Sequence, residues 1–192
     1  EQPGPHDYSR GEVHVYAYEP GANQWNERGS TLDHLLGEEN YDYLGRSVVM
    51  SADGSVVAAT ALNHPPTVNP RSHVRVWVWD GDKYVKQHPE PIYMLAETDE
   101  EPNINMIAMS VGMNADGTVL AVGIVYQPEN ARLGRVDVYA WDDTGWTRVD
   151  TIEGEDPYDW YGATVALSAD ATVLATGASQ QTVSDLGGFK GR

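Results

Sequence analysis

The chain has 192 residues and a formal net charge of −17, which comes from 29 acidic and 12 basic residues. A surface this acidic repels phosphate groups and no basic patch offsets it, so we expect no nucleic-acid binding. No apolar run approaches the ~20 residues of a membrane span, so no membrane insertion is expected, and the lack of cysteine excludes disulfides and thiolate metal sites.

One kind of hairpin, here called the B hairpin, comes first in the chain. Residues 1–10 are polar and rich in proline and glycine, which predicts an N-terminal arm. Residues 11–28 then alternate apolar and polar side chains on both sides of a Pro-Gly turn, a pattern that predicts two antiparallel strands. The pattern returns near 74–87 and near 134–149. Its central aromatic residues, Tyr16, Trp77 and Tyr139, recur 61 and 62 residues apart.

A second kind of hairpin, the A hairpin, alternates with the first. It reads LGRSVVMSADGSVVAATA at 44–61, IAMSVGMNADGTVLAVGI at 107–124 and YGATVALSADATVLATGA at 161–178. Each copy has two alternating apolar runs around a short polar turn, as a buried hairpin requires. The turns contain Asp53, Asp116 and Asp170, spaced 63 and 54 residues apart, and Ala171 replaces the glycine of the other two.

Two hairpins per period give four strands in each unit of about 60 residues, and no helical periodicity competes with this pattern. Four antiparallel strands per repeat is the composition of a propeller blade. The sequence therefore predicts an all-β fold of β-propeller blades, in three repeats of ~60 residues.

The order of these motifs resembles the FG-GAP repeats of integrin-α-like β-propellers. The motifs are Leu/Tyr-Gly-x-Ser/Thr-Val, Ser-Ala-Asp-Gly and Gly-x-Val-x-Val-Tyr, and the likeness is greatest to an algal and bacterial extracellular branch whose turn reads SADGT. The resemblance implies that the A hairpin is the inner pair of each blade and the B hairpin the outer pair. It divides the repeat region 11–192 into an outer hairpin (11–28), two blades (44–88 and 107–150), an inner hairpin (161–178) and a Gly-rich tail (187–192).

Even if the two half-blades joined, this division gives fewer blades than the usual four to eight. We therefore expect one of three arrangements: a section of a longer propeller, a ring completed by two chains, or an open array capped by a partner. The resemblance also implies an extracytoplasmic location, either secreted or in an organelle lumen.

The A-hairpin turns are not expected to bind calcium. FG-GAP blades that bind calcium carry Asp-x-Asp-x-Asp-Gly loops, whereas each turn here has one carboxylate, and a calcium ion takes six to eight oxygen ligands. Each turn aspartate is instead expected to accept hydrogen bonds from its own turn.

The acidic segments before the A hairpins are the alternative metal candidates. Their carboxylates recur at equivalent places: Glu38, Glu39 and Asp42 in the first segment, and Glu155, Asp156 and Asp159 in the third. Such oxygens could hold a weak calcium ion, or the segments could be solvated connectors. Four aromatic residues lie among the acids and could contact a partner or pack against a neighbouring blade: Tyr41, Tyr43, Tyr158 and Trp160.

Catalytic signals are absent from the sequence. It contains no nucleophile elbow, no phosphate-binding loop and no histidine pair with metal-ligand spacing. No residue is assigned a catalytic or cofactor-binding role, and we expect the chain not to be an enzyme. The leading hypothesis is a non-catalytic interaction module that binds a protein or a glycan through its loop faces. The alternatives are a structural subunit of a large assembly and a hydrolase that uses carboxylates or a metal.

Overall fold

The computed structural model describes residues 9–29, 35–38, 40–62, 72–94, 106–126, 133–156, 159–180, 182–183 and 188–189. All regular elements in this part of the chain are β-strands, so the predicted all-β fold is confirmed. In the same ranges there is no helix that could span a bilayer. The strands are β1 (Glu12–Val13), β2 (Tyr16–Glu19), β3 (Gln24–Glu27), β4 (Leu35–Leu36), β5 (Val48–Met50), β6 (Val56–Ala61), β7 (His73–Trp79), β8 (Tyr84–Lys86), β9 (Ile92–Tyr93), β10 (Met106–Met113), β11 (Val119–Tyr126), β12 (Arg135–Trp141), β13 (Trp146–Glu153), β14 (Tyr161–Leu167), β15 (Leu174–Ala178), β16 (Thr182–Val183) and β17 (Gly188–Phe189).

Two sheets contain both hairpin types. The first full sheet has the order β5-β6-β7-β8, with β9 also paired to β7, and the second has the order β10-β11-β12-β13. All their pairings are antiparallel, and in each sheet the A hairpin precedes the B hairpin. The other described strands form the two-stranded sheets β1-β4, β2-β3, β14-β15 and β16-β17. The four-stranded units are thus present, whereas the described strands do not form a closed propeller.

The three B hairpins share one register. Their central aromatic residues pair across the hairpin as Tyr16↔Glu27, Trp77↔Lys86 and Tyr139↔Arg148. Farther from the turn, the N-terminal side of each B hairpin pairs again with a later segment of the chain, through Val13↔Leu35, Val74↔Ile92 and Val136↔Ile152. The sequence did not predict β4 and β9, because two apolar residues after a break carry no alternating pattern.

Apolar side chains fill the space between neighbouring sheets. One buried cluster joins the first full sheet to the second and includes Val74, Leu120 and Ile124. Another joins the first full sheet to the segment before it and includes Val13 and Trp77. Burying a side chain of this size contributes roughly 1.5–3 kcal/mol, so these two layers between sheets are the main source of stability.

Glycines lie where the third A hairpin crosses the second full sheet. A Cβ atom added to Gly134 would overlap the backbone of Tyr161, and one added to Gly123 would overlap the backbone of Gly162. Strand β14 accordingly contacts both β10 and β11. The glycines in these repeats therefore permit close backbone contact between sheets, which a side chain would prevent.

Backbone hydrogen bonds connect the turns of the three A hairpins. The N–H of Ala52 donates to the carbonyl of Ala115 (2.9 Å), and the N–H of Ala115 donates to the carbonyl of Ala169 (2.9 Å). The turns thus form a continuous series along one end of the sheets, which we call the turn ladder.

Two of the three turn aspartates, Asp53 and Asp170, accept hydrogen bonds from their own turns, as the sequence indicated. In the middle turn it is the side chain of Asn114 that accepts them, from the N–H groups of Thr118 and Val119 (2.9 Å each). The Oδ1 atom of Asp53 accepts hydrogen bonds from the side chain and backbone N–H of Ser55 and from the Ser51 hydroxyl. These bonds, with the Ser55 hydroxyl first, lower the pKa of Asp53 to about 2. Asp170 has the same arrangement with Ser168 and Thr172, and its pKa is also lowered to about 2.

Candidate functional site: the acidic connectors

The predicted acidic segments form connectors that lead into the A hairpins. We call residues 37–45 the first connector and residues 154–162 the third connector. Glu39 and Tyr158 lie outside the described residues, as does most of the corresponding segment at 100–108. The other predicted site residues of the two connectors are described.

Two of the predicted metal ligands are buried and bind the backbone. Asp42 accepts a hydrogen bond from the N–H of Glu38 through Oδ2 (2.7 Å), and its own carbonyl accepts one from Leu62 (2.7 Å). Asp159 accepts a hydrogen bond from the N–H of Tyr161 through Oδ1 (2.8 Å), and its carbonyl accepts one from Gln180 (2.9 Å). Each aspartate therefore fixes the shape of its connector and attaches it to the end of the following A hairpin.

A third predicted ligand, Glu38, forms ion pairs with the first full sheet. Its Oε1 atom contacts the guanidinium of Arg75, which is buried, and the ammonium of Lys86. Arg75 also donates to the carbonyl of Pro89 (2.7 Å). Burial raises the pKa of Glu38, but the Lys86 hydrogen bond and the Arg75 charge outweigh it, so the pKa is lowered overall. Glu38 therefore attaches the first connector to this sheet.

The remaining carboxylates of the set, Glu155 and Asp156, are exposed on the third connector. Within the described ranges, no group of three or more His, Cys, Asp or Glu residues is placed to hold a metal ion. Calcium binding by the connectors stays a prediction, because Glu39 is not among the residues described.

Three aromatic residues of the connectors have left-handed backbone conformations. The φ angles are +70° at Tyr41, +46° at Tyr43 and +58° at Trp160. Bulky residues rarely adopt this region, and each such residue costs about 1–3 kcal/mol unless its surroundings fix it. Here the buried carboxylates of Asp42 and Asp159 lie next to them in sequence. Tyr43 is exposed, whereas Tyr41 and Trp160 are half-buried.

An aromatic pair beside each B-hairpin turn was missed by the sequence reasoning. The ring centroids lie 5.4 Å apart in Tyr18–Trp25, 5.0 Å apart in Trp79–Tyr84 and 5.7 Å apart in Trp141–Trp146. The residues of each pair are opposite one another in the strand register. The sequence signal was present, since an aromatic residue stands near the turn on both sides in every copy.

Charged groups in the B hairpins form a second feature that the sequence reasoning missed. In the second full sheet, buried Asp137 contacts Arg135 (3.1 Å) and Arg148 (3.5 Å) and accepts a hydrogen bond from Thr151 (2.9 Å). Burial, and next the charge of Asp137, raise the pKa of Tyr139 to about 12. The contacts of Asp137 with Arg148 and Thr151 join β12 to β13.

Comparison with known proteins gives a fold-level likeness only. No protein-family model matches the chain, and no curated protein is significantly similar to it. A solved structure from Bacteroides uniformis, of a protein provisionally named a 6-phosphogluconolactonase, is similar with a TM-score of 0.54 and 12% identity. The likeness covers 96% of this chain and 48% of that one, so the chain spans about half the length of that protein.

The resemblance to FG-GAP and integrin-α-like propellers is therefore wrong as a family assignment. No such family model matches the chain, and the structural likeness is to a differently named protein. The physical reason is that the motifs used for it encode architecture. The turn aspartates stabilise tight turns and the glycines permit close contact between sheets, requirements that stacked four-stranded sheets of any family share.

Proposed function

We propose that the chain is a non-catalytic interaction module that binds a protein or glycan partner through its connectors. The observation that carries the proposal is the left-handed backbone at Tyr43 and Trp160. Strained backbone of this kind persists where the surroundings over-determine it, and it is concentrated at functional sites.

The connectors combine the groups that binding surfaces use. Tyr43 is exposed on the first connector, and the carboxylates of Glu155 and Asp156 are exposed near Trp160 on the third. Aromatic rings offer large contact area with little conformational freedom to lose, and Tyr and Trp are enriched at binding hot spots. The buried aspartates Asp42 and Asp159, next to these aromatic residues in sequence, accept hydrogen bonds from the connector backbone. A backbone fixed in this way lowers the entropy that binding would cost.

The test is a binding screen of the 192-residue chain against two probe panels, immobilised oligosaccharides and cationic peptides. The peptides are included because the net charge of −17 favours basic partners. We expect at least one probe class to bind, and Tyr43→Ala and Trp160→Ala each to weaken that binding about tenfold or more, which corresponds to a hot-spot side chain.

Trp141→Ala is the matched control, because Trp141 is also half-buried but lies on β12. Circular dichroism establishes that each variant is folded. Binding that is unaffected by both connector substitutions, or affected equally by the control, would contradict the proposal.

Two other functions remain as candidates. A structural subunit is supported by the strand edges of β2 and β15, which pair on only one side among the described strands. A hydrolase is supported only by the name of the Bacteroides protein, and at 12% identity that likeness concerns the fold alone. The absence of enzyme activity stays a prediction, which an assay of 6-phosphogluconolactone hydrolysis with wild type, Asp42→Asn and Asp159→Asn would test. The extracytoplasmic location also stays a prediction.

A further inference from the structure

Two hairpins of the chain, β2-β3 and β14-β15, form two-stranded sheets that correspond to the two halves of a full sheet. In both full sheets, the second strand of the A hairpin pairs with the first strand of the B hairpin, as β6-β7 and β11-β12. Among the described strands, β15 of the last A hairpin pairs only with β14, and β2 of the first B hairpin pairs only with β3. We propose that β15 of one copy of this chain pairs antiparallel with β2 of a second copy, so that the two hairpins make one four-stranded sheet.

The exposure of β2 supports this pairing. Tyr16 is 52% exposed, whereas Trp77 and Tyr139, which hold the same position in the full sheets, are 3% and 6% exposed. The exposure of β15 agrees with it. Ala175 is exposed, whereas its counterpart Ala121 is fully buried. Each of these hairpins thus exposes groups whose counterparts are covered by adjoining strands and by the neighbouring sheet in the full sheets.

Contacts between successive B hairpins supply an independent observation. The guanidinium of Arg28 lies 4.4 Å from the ring centroid of Trp79 in the next sheet. Gln87, the counterpart of Arg28, accepts a hydrogen bond from the indole N–H of Trp146 in the sheet after that (3.1 Å). The third residue of this series is Val149, which is 59% exposed.

The aromatic pair that lacks such a cover is the one on β2 and β3. Trp25 is 68% exposed, and Tyr18 beside it is exposed as well. In the proposed arrangement, Val149 of one copy lies against Trp25 of the second copy. Two exposed apolar surfaces of this acidic chain therefore cover each other.

The inner strands show the same complementarity. Val111 and Met113 of β10 are buried against the first full sheet. Their counterparts on β5, Val48 and Met50, are exposed because no A hairpin precedes β5 among the described residues. In the proposed assembly, β14 of the second copy covers this face of β5.

The number of sheets favours a second copy over closure within one chain. Joining β15 to β2 within a single chain would give three sheets, and rings usually contain four to eight. Two copies joined by two identical contacts give six sheets in a closed ring with two-fold symmetry. In the proposal, the occupant of the β15 edge is the β2-β3 hairpin of a second copy.

Size-exclusion chromatography with light scattering, over a concentration series of the 192-residue chain, gives the first readout. We expect a species of twice the 21.1 kDa chain mass that does not grow further with concentration. Tyr16→Asp should yield a folded monomer, because Tyr16 is 52% exposed in the single chain and its ring contact there is with His14, which is itself exposed (ring centroids 6.3 Å apart). Tyr16→Phe should remain a dimer.

Cross-linking tests the register. Because Val56 pairs with Val78 and Val119 with Ala140, Val173 is expected opposite Ala17 of the second copy. The chain has no cysteine, so the double variant Ala17→Cys/Val173→Cys should give a covalent dimer on oxidation. The matched control is Asn26→Cys/Val173→Cys. Asn26 is on β3, where it pairs with Ala17 of β2, so strand β2 separates the two thiols and no cross-link should form.

Three results would overturn the proposal. A monomer at every concentration would show that the β15 edge is not filled by a second copy. Species that grow steadily with concentration would show that the contact does not close a ring. A dimer that the Ala17→Cys/Val173→Cys variant does not trap, or that the control traps equally, would place the interface elsewhere.

Discussion

Replacing Gly117 with alanine tests whether the A-hairpin turns pack tightly between sheets. Gly117 has a φ angle of +72°, and a Cβ atom added there would lie 2.7 Å from Cβ of Val56 in the first full sheet. Real Cβ atoms essentially never lie within 3.0 Å of such a neighbour, so the added atom would be 0.3 Å too close to Val56. Two costs therefore add, left-handed strain of about 1–2 kcal/mol and overpacking of about 1–3 kcal/mol.

Two other glycines separate these costs. Gly81 has a φ angle of +110° with nothing within 4 Å of an added Cβ, so Gly81→Ala carries strain alone. Gly145 is as open and lacks a positive φ, so Gly145→Ala should change the free energy of unfolding by no more than about 0.5 kcal/mol. We expect the loss of stability to be greatest in Gly117→Ala, at about 2–5 kcal/mol, and intermediate in Gly81→Ala.

The assay is chemical denaturation, with the thermal midpoint as a second readout. A loss of 1 kcal/mol lowers Tm by about 2–4 °C in a chain of this size. The double variant Val56→Ala/Gly117→Ala should be more stable than the two single losses predict, because the smaller side chain makes room for the added methyl group. If Gly117→Ala is no more destabilising than Gly81→Ala, the inferred contact between the turn and Val56 does not exist.

Two further predictions concern pH. The folded pKa of Asp53 and Asp170 is about 2, below the usual 3.8 of an unfolded aspartate. The stability that these aspartates add is therefore present above pH 3.8 and is lost as the pH falls toward 2. The urea midpoint should fall less steeply over this pH range in Asp53→Asn/Asp170→Asn than in the wild type, and an unchanged slope would contradict this. The folded pKa of Tyr139 is about 12, above the usual 10.0. The stability from its protonated form is therefore present below pH 10 and is lost as the pH rises through 12. In an ultraviolet titration, Tyr139→Phe should remove one tyrosine that ionises at high pH, and removal of one that ionises near pH 10 would refute the assignment.

The sequence predicted the repeated hairpins because their information is local. Alternating apolar residues and the turn aspartates Asp53 and Asp170 mark strands and turns within one short window. The four-stranded units followed from the order of those hairpins. Strands β4 and β9 could not be predicted, since two residues pair there only because β1 and β7 already present free edges.

The connectors were harder to interpret because a carboxylate has the same appearance in sequence whether it binds a metal, a cation or the backbone. Asp42 and Asp159 were grouped with Glu38 as candidate ligands, yet they are buried and accept backbone hydrogen bonds. A signal existed, since both aspartates precede an aromatic residue, a bulky residue and a glycine in the same order. Its meaning depends on the fold, because the N–H groups of Leu62 and Gln180, about 20 residues later in the chain, donate to the carbonyls of these two aspartates.

The turn ladder gives the molecule a direction. Ala52 donates to Ala115, which donates to Ala169, so the peptide dipoles of the ladder all point the same way. Among the described hydrogen bonds, the carbonyl of Ala52 therefore lies at one end of the ladder and the N–H of Ala169 lies at the other end. Any further unit can extend it in one orientation only, because a reversed unit would set donor against donor or acceptor against acceptor. The ladder therefore acts as a polarity marker, which selects head-to-tail growth over head-to-head contact before any side chain is compared.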